Sequence, residues 1–155
     1  MISQAVSQHG MVKRPHSQNR WVFLRERVPK MSIEFFEESN PSTRTLPRSV
    51  ATRAGGFVFV GGQIGRDEDG DLILGGIEVQ TRGTMKNVAQ ALALADCTLE
   101  DVVKTMVWLD DLRDFDAFNR VYGEFFPGNK PTRSTIQGKN MLGTKVEIEV
   151  VAYKS

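Results

Sequence analysis

Residues 145–153 read KVEIEVVAY. Val146, Ile148, Val150 and Ala152 alternate there with Lys145, Glu147, Glu149, Val151 and Tyr153. Successive side chains of a strand point to opposite faces, so this period of two predicts a strand with two unlike sides. The first set is wholly apolar and suits a core. The second mixes two carboxylates with apolar groups. Residues 101–110, DVVKTMVWLD, repeat the pattern, with Val103, Thr105, Val107 and Leu109 on one face and Lys104, Met106 and Trp108 on the other. A sheet made of such strands has one face for helices and a second, half-apolar and half-charged, that needs its own explanation.

The helices are legible. From about Glu78 to Ala95, Met85, Val88, Leu92 and Ala95 recur at a 3.6-residue period, with Val79 and Ala89 beside them, which predicts an amphipathic helix. Asp111 is a candidate N-cap for a second helix carrying Phe115, Phe118, Tyr122 and Phe125, ended by Pro127 and Gly128. Upstream, Gly55–Gly65 (GGFVFVGGQIG) is a β-rich run, and the Asp-Gly turn in RDEDGD predicts a hairpin onto Leu72–Leu74. Arg133–Ile136 and Lys145–Lys154 read as the last strands. The expected order is β-β-α-β-α-β-β, an α+β sheet with both helices on one face. The mixed face left over points to an oligomer interface that includes a polar site; the plainer alternative is a solvated face.

Composition narrows the function. The chain has 155 residues, 40% hydrophobic and 25% charged, with a net charge of +1, which fits one globular domain and no global nucleic-acid or membrane bias. Its one cysteine, Cys97, rules out an intrachain disulfide and fits a reducing compartment. No apolar run approaches the roughly 18 residues of a membrane span. Charge is uneven: residues 1–30 hold six Lys or Arg and one Glu, hence +5, whereas residues 31–155 hold 14 basic and 18 acidic residues, hence −4. Residues 1–30 lack the apolar core of a secretory signal and read as a basic extension outside the fold, with the domain at 31–155.

Both histidines, His9 and His16, lie in that extension, so the domain offers no histidine base, Ser-His pair or histidine metal site. Cys97 has no cationic neighbour in sequence and reads as a structural thiol. The glycines of GGFVFVGGQIG do not form a phosphate-cradling motif. What remains is Arg133 in KPTRST, the carboxylates and the backbone amides. An arginine in a strand is either a surface cation or the holder of an anion. With a carboxylate nearby, such a set can fix a small carboxylate and activate a water.

Four stretches, VFVGGQIG, LEDVVKTMVWLDDLRDFDAFNRVYGEFF, KPTRST and KVEIEVVAY, in this order and spacing, resemble the reactive intermediate deaminase A family (RidA, also called YjgF or L-PSP). The resemblance covers Leu46 to Ser155. It implies a chorismate-mutase-like α+β domain, a homotrimer whose sheets form a central barrel, and sites between subunits. It also implies cofactor-independent, cytoplasmic hydrolysis of 2-imino acids, released by PLP enzymes, to 2-oxo acids and ammonia, with no metal and no membrane. By the same resemblance Arg133 binds the substrate carboxylate, Glu147 holds the attacking water, and Asn119 and Tyr122 line the cleft. Three positions depart from the common pattern: Gly61 stands where many relatives have Ser, Arg48 where many have an aromatic residue, and Thr135 where some have Cys. Two alternatives stay open. One is an endoribonuclease, supported only by the basic extension; the other is a non-catalytic trimeric binder of small carboxylates.

Overall fold

A computed structural model describes residues 32–37 and 46–155. The expectation for residues 1–30 lies outside the described residues. The strands are β1 (Ile33–Phe36), β2 (Ala51–Ala54), β3 (Phe57–Gln63), β4 (Val102–Leu109), β5 (Thr132–Gln137) and β6 (Val146–Tyr153); the helices are α1 (Ile77–Leu94) and α2 (Phe115–Glu124). They form one mixed sheet in the order β1-β2-β3-β6-β4-β5. Only β4 and β5 pair in parallel, joined through α2. The remaining neighbours are antiparallel.

The alternation in β6 holds. Val146, Ile148, Val150 and Ala152 are buried, in one core with Met85, Val88 and Leu92 of α1 and Phe118 and Tyr122 of α2. Both helices therefore cover the same sheet face. Asp111 does cap, but it caps a 3-10 turn, Leu112–Asp114, by accepting from the Arg113 N–H at 2.9 Å; α2 starts only after it. Phe126, beyond the expected aromatic set, also enters the core.

Two expectations fail locally. Leu72–Leu74 is not a strand: a single bridge, Arg66 to Leu72, remains. The Asp67 carboxylate accepts the Asp69 and Asp71 N–H groups at 3.1 and 2.9 Å, which closes a local turn instead of extending a ladder. The hairpin partner of β3 is β2, through a turn at Gly55, where φ is +61°. With β1 paired to β2, the order becomes β-β-β-α-β-α-β-β. In β4, Val103 does not share the core face. The ladder to β6 skips a residue between Val102 and Lys104, so Val102 is buried and Val103 is 45% exposed, as a bulge requires.

The second sheet face carries Phe57, Phe59, Met106, Trp108, Val151 and Tyr153 by register. Phe59 is 48% exposed, and Phe35 beside it in β1, across Thr52, is 67% exposed. Lys104, Glu147 and Glu149 share this face, which is thus apolar on β3 and mixed on β6 and β4, and no element among the described residues covers it.

Candidate functional site

Arg133 owes its place to strand pairing. β5 lies in parallel register on β4, with Arg133 opposite Thr105 and Thr135 opposite Val107. Thr105 and Val107 are fully buried under the helices, so Arg133 and Thr135 stand on the helix side of an edge strand. There α2 presents Phe115, Phe118, Asn119 and Tyr122, spaced so that they share one helical face. The Arg133 guanidinium carbon lies 4.8 Å from the Tyr122 ring centroid, 5.3 Å from that of Phe118 and 5.8 Å from that of Phe115. Its Nη2 donates to Asn119 Oδ1 at 2.7 Å. The ring faces attract the cation, and the amide fixes its rotation. Among the described residues this uses one of five guanidinium donors and leaves the rest for an anion.

Tyr122 is both core and wall. It is buried, and its hydroxyl meets Thr105 Oγ1 at 2.9 Å. Burial pushes its phenol up from the ordinary range, opposed by the Thr105 hydrogen bond and the Arg133 charge, so it is a neutral hydroxyl at physiological pH. The Thr135 Oγ1 is buried with no hydrogen-bond partner among the described residues.

Glu147, Gly61 and Arg48 form a second group. The β3–β6 register runs Val60 to Val150 and then Gln63 to Ile148, so Gly61 and Gly62 oppose Glu149 alone, a bulge. A Cβ on Gly62 would fall on the Glu147 carboxylate, within 3.0 Å of its Cδ; glycine is what lets Glu147 lie over the bulge. A Cβ on Gly61 would stand in ordinary contact with the Ser49 and Val50 carbonyls, 3.9 Å from Arg48 Nη1. Burial raises the Glu147 carboxyl above the usual carboxylate range; the Arg48 charge pulls it down and Glu149 adds to the rise.

The two groups do not meet in one chain. Glu147 pairs in register with Trp108 and so emerges on the face away from the helices, whereas Arg133 emerges on the helix side. The candidate residues are thus sorted into an Arg133, Asn119, Tyr122, Thr135 wall and a Glu147, Gly61, Arg48 wall. Sequence reasoning missed Thr105, Phe115 and Phe118 as neighbours of Arg133, and Gly62 as the seat of Glu147. The spacing within α2 was available to find the two aromatics; nothing local announces the β4–β5 register. Among the described residues no cluster of His, Cys, Asp and Glu could hold a metal, and no helix is long and apolar enough to cross a membrane.

A protein-family model described as Endoribonuclease L-PSP matches residues 40–154. The chain belongs to this family, the RidA or YjgF family. Among its relatives, the protein mmf2, mitochondrial, of Schizosaccharomyces pombe is 41% identical over 110 residues, covering 68% of this chain and 86% of that protein. The 2-iminobutanoate/2-iminopropanoate deaminase of Homo sapiens is 36% identical over 110 residues, covering 70% of this chain and 80% of that protein. The crystal structure of E. coli TdcF with bound serine superposes with a TM-score of 0.72 at 29% identity, covering 79% of this chain and 99% of that one. The expected chorismate-mutase-like α+β fold is therefore the fold of this RidA-family chain.

Proposed function

We propose that the chain is a cofactor-independent 2-imino acid deaminase working as a homotrimer, with each site between the Arg133 wall of one subunit and the Glu147 wall of the next. The single observation that carries this reading is the Arg133 guanidinium, held against Tyr122 and Asn119 with donors free on a partly open edge strand. The deaminase relative and the serine-bound structure support it. So does the half-apolar sheet face, uncovered among the described residues, which a second and third copy would bury.

In this mechanism Arg133 takes the 2-imino acid carboxylate in a bidentate grip. A water beside Glu147 attacks C2. The new C–O bond forms as the C=N π pair moves to nitrogen, and the water's proton passes by way of Glu147 to that nitrogen. The carbinolamine collapses: Glu147 takes the hydroxyl proton and passes it to the nitrogen, the C–N bond breaks as C=O forms, ammonia leaves, and Glu147 is again a carboxylate. The balance is one imine and one water in, one 2-oxo acid and one ammonia out. Imine hydrolysis has a low intrinsic barrier, so positioning supplies most of what is needed. A cytoplasmic site of action belongs to this reading, although the S. pombe relative is named mitochondrial. The ribonuclease alternative has the description of the family model behind it, but residues 32–155 contain no histidine to act as acid or base.

The test is a competition assay. An amino-acid oxidase generates the imine, semicarbazide traps it, and the deaminase lowers semicarbazone yield in proportion to its concentration. Unchanged yield at any enzyme level refutes the activity and leaves the non-catalytic binder.

A further inference from the structure

The described residues include seven arginines. Arg82, Arg113 and Arg120 are ion-paired with Glu124, Asp111 and Glu78. Arg53 and Arg66 donate to the Ala95 and Gly70 carbonyls, and Arg133 donates to Asn119. Arg48 alone among them has a guanidinium with no hydrogen bond and no ion pair to any described residue. It does not point at random: Nη1 is 3.9 Å from where a Gly61 side chain would begin, and its charge is felt by Glu147. The contacts at that Gly61 position, 3.7 Å to the Ser49 and Val50 carbonyls, are ordinary van der Waals distances, so a side chain would fit there and none is present. A planar cation with no partner among the described residues thus stands next to room for a Gly61 side chain, near enough for its charge to act on the carboxylate assigned to the water.

We propose that Arg48 is a second carboxylate-binding group and that the preferred substrates are dicarboxylic 2-imino acids, the imines of acidic amino acids. This rests on the deaminase reading above, with Arg133 holding the carboxylate next to C2. The charges favour it. A protonated imine between Arg133 and Glu147 leaves one net positive charge, which one substrate carboxylate balances. An aromatic residue at position 48 would keep that balance for monocarboxylic imines. Arg48 adds one more positive charge, and a second substrate carboxylate restores neutrality. Arg48 is exposed in the single chain; where the neighbouring subunit of the proposed trimer closes over it, an unmatched charge becomes costly and a matched one is favoured. Gly61 in place of a hydroxyl side chain leaves the space that a longer, carboxylate-tipped substrate needs. Glu147 does not consume Arg48, since the pair is not within ion-pair distance and the guanidinium has five donors to share.

The experiment compares kcat/KM for imines generated from glutamate or aspartate with those from alanine or 2-aminobutyrate, in the wild type, Arg48→Gln and Arg48→Tyr. Losing a charge-assisted contact should lower the dicarboxylic-to-monocarboxylic ratio by about tenfold or more in both variants. Calorimetry supplies a readout without turnover: 2-oxoglutarate should bind more tightly than 2-oxobutanoate, and the margin should vanish in Arg48→Gln. If monocarboxylic imines are hydrolysed and the ratio is the same in all three proteins, the inference is wrong while the deaminase reading stands. If both substrate classes fall equally in Arg48→Gln and the acid limb of the pH profile moves up, Arg48 serves only Glu147, which overturns the proposal. If no imine is hydrolysed, the deaminase reading fails, and the calorimetric margin alone upholds or overturns the second carboxylate site.

Discussion

Replacing Arg133 by lysine keeps the charge and removes the planar fork; replacing it by alanine removes both. Loss of a bidentate, charge-assisted contact in a partly desolvated cleft costs about 2–5 kcal/mol, or about 30- to several-thousand-fold in kcat/KM. Arg133→Ala belongs in that range, and Arg133→Lys at its lower end. Sequence alone assigns Arg133 no structural partner, so its loss would leave folding untouched. The contacts change this. A cation over Tyr122 contributes about 0.5–1 kcal/mol. The bond to Asn119 contributes on the order of 1.5 kcal/mol. Arg133→Ala should therefore lose about 2 kcal/mol of stability, or about 6–10 °C in Tm, and Arg133→Lys about half of that. Either loss is small beside a typical stability of about 5–15 kcal/mol, so both proteins stay folded at assay temperature. The semicarbazone competition gives kcat/KM, and thermal unfolding gives the second number. Full activity in both variants, whatever the Tm, refutes Arg133 as the carboxylate clamp. A 2-oxo acid found in a soaked crystal with its carboxylate away from Arg133 refutes it independently.

Gly62→Ala should push the Glu147 carboxylate off the bulge and lower kcat/KM by about tenfold or more. Tm should hardly move, because the clash falls on a flexible side chain; retained activity would remove Glu147 from the mechanism. Glu147→Gln tests the electrostatics: burial raises the native carboxyl above the ordinary value of 4.5. The native state therefore holds the proton to higher pH than the unfolded chain, and the associated stability, present below that value, is lost as pH rises through the native one. The Gln variant should match the wild type near about pH 4 and exceed it near about pH 7 in denaturant titrations; a margin over the wild type that does not grow from about pH 4 to about pH 7 contradicts this. Sedimentation at micromolar concentration should give three times the 17.3 kDa chain mass, and Phe59→Asp should break the assembly. A wild-type chain that stays monomeric would sink the trimer and the site between subunits together.

The alternation in KVEIEVVAY and the 3.6-residue period of α1 are local consequences of backbone geometry, so the sequence by itself determined which face of β6 is buried, where both helices run and that one sheet face is left over. Arg133, Glu147, Asn119 and Tyr122 were legible as residue types with a family pattern around them. The rest depended on pairing between distant strands, which no local period encodes. The skipped residue in β4 put Val103 outside, and the Asp67 turn replaced the expected strand at Leu72–Leu74. The Gly61–Gly62 bulge seated Glu147 over Gly62. The parallel register of β5 on β4 set Arg133 against Tyr122 on the helix side, opposite to Glu147. Register and bulges are settled by which packing of the whole sheet buries the most apolar surface with its hydrogen bonds made. Only the tertiary structure could therefore divide the candidate residues between two walls that a single chain does not bring together.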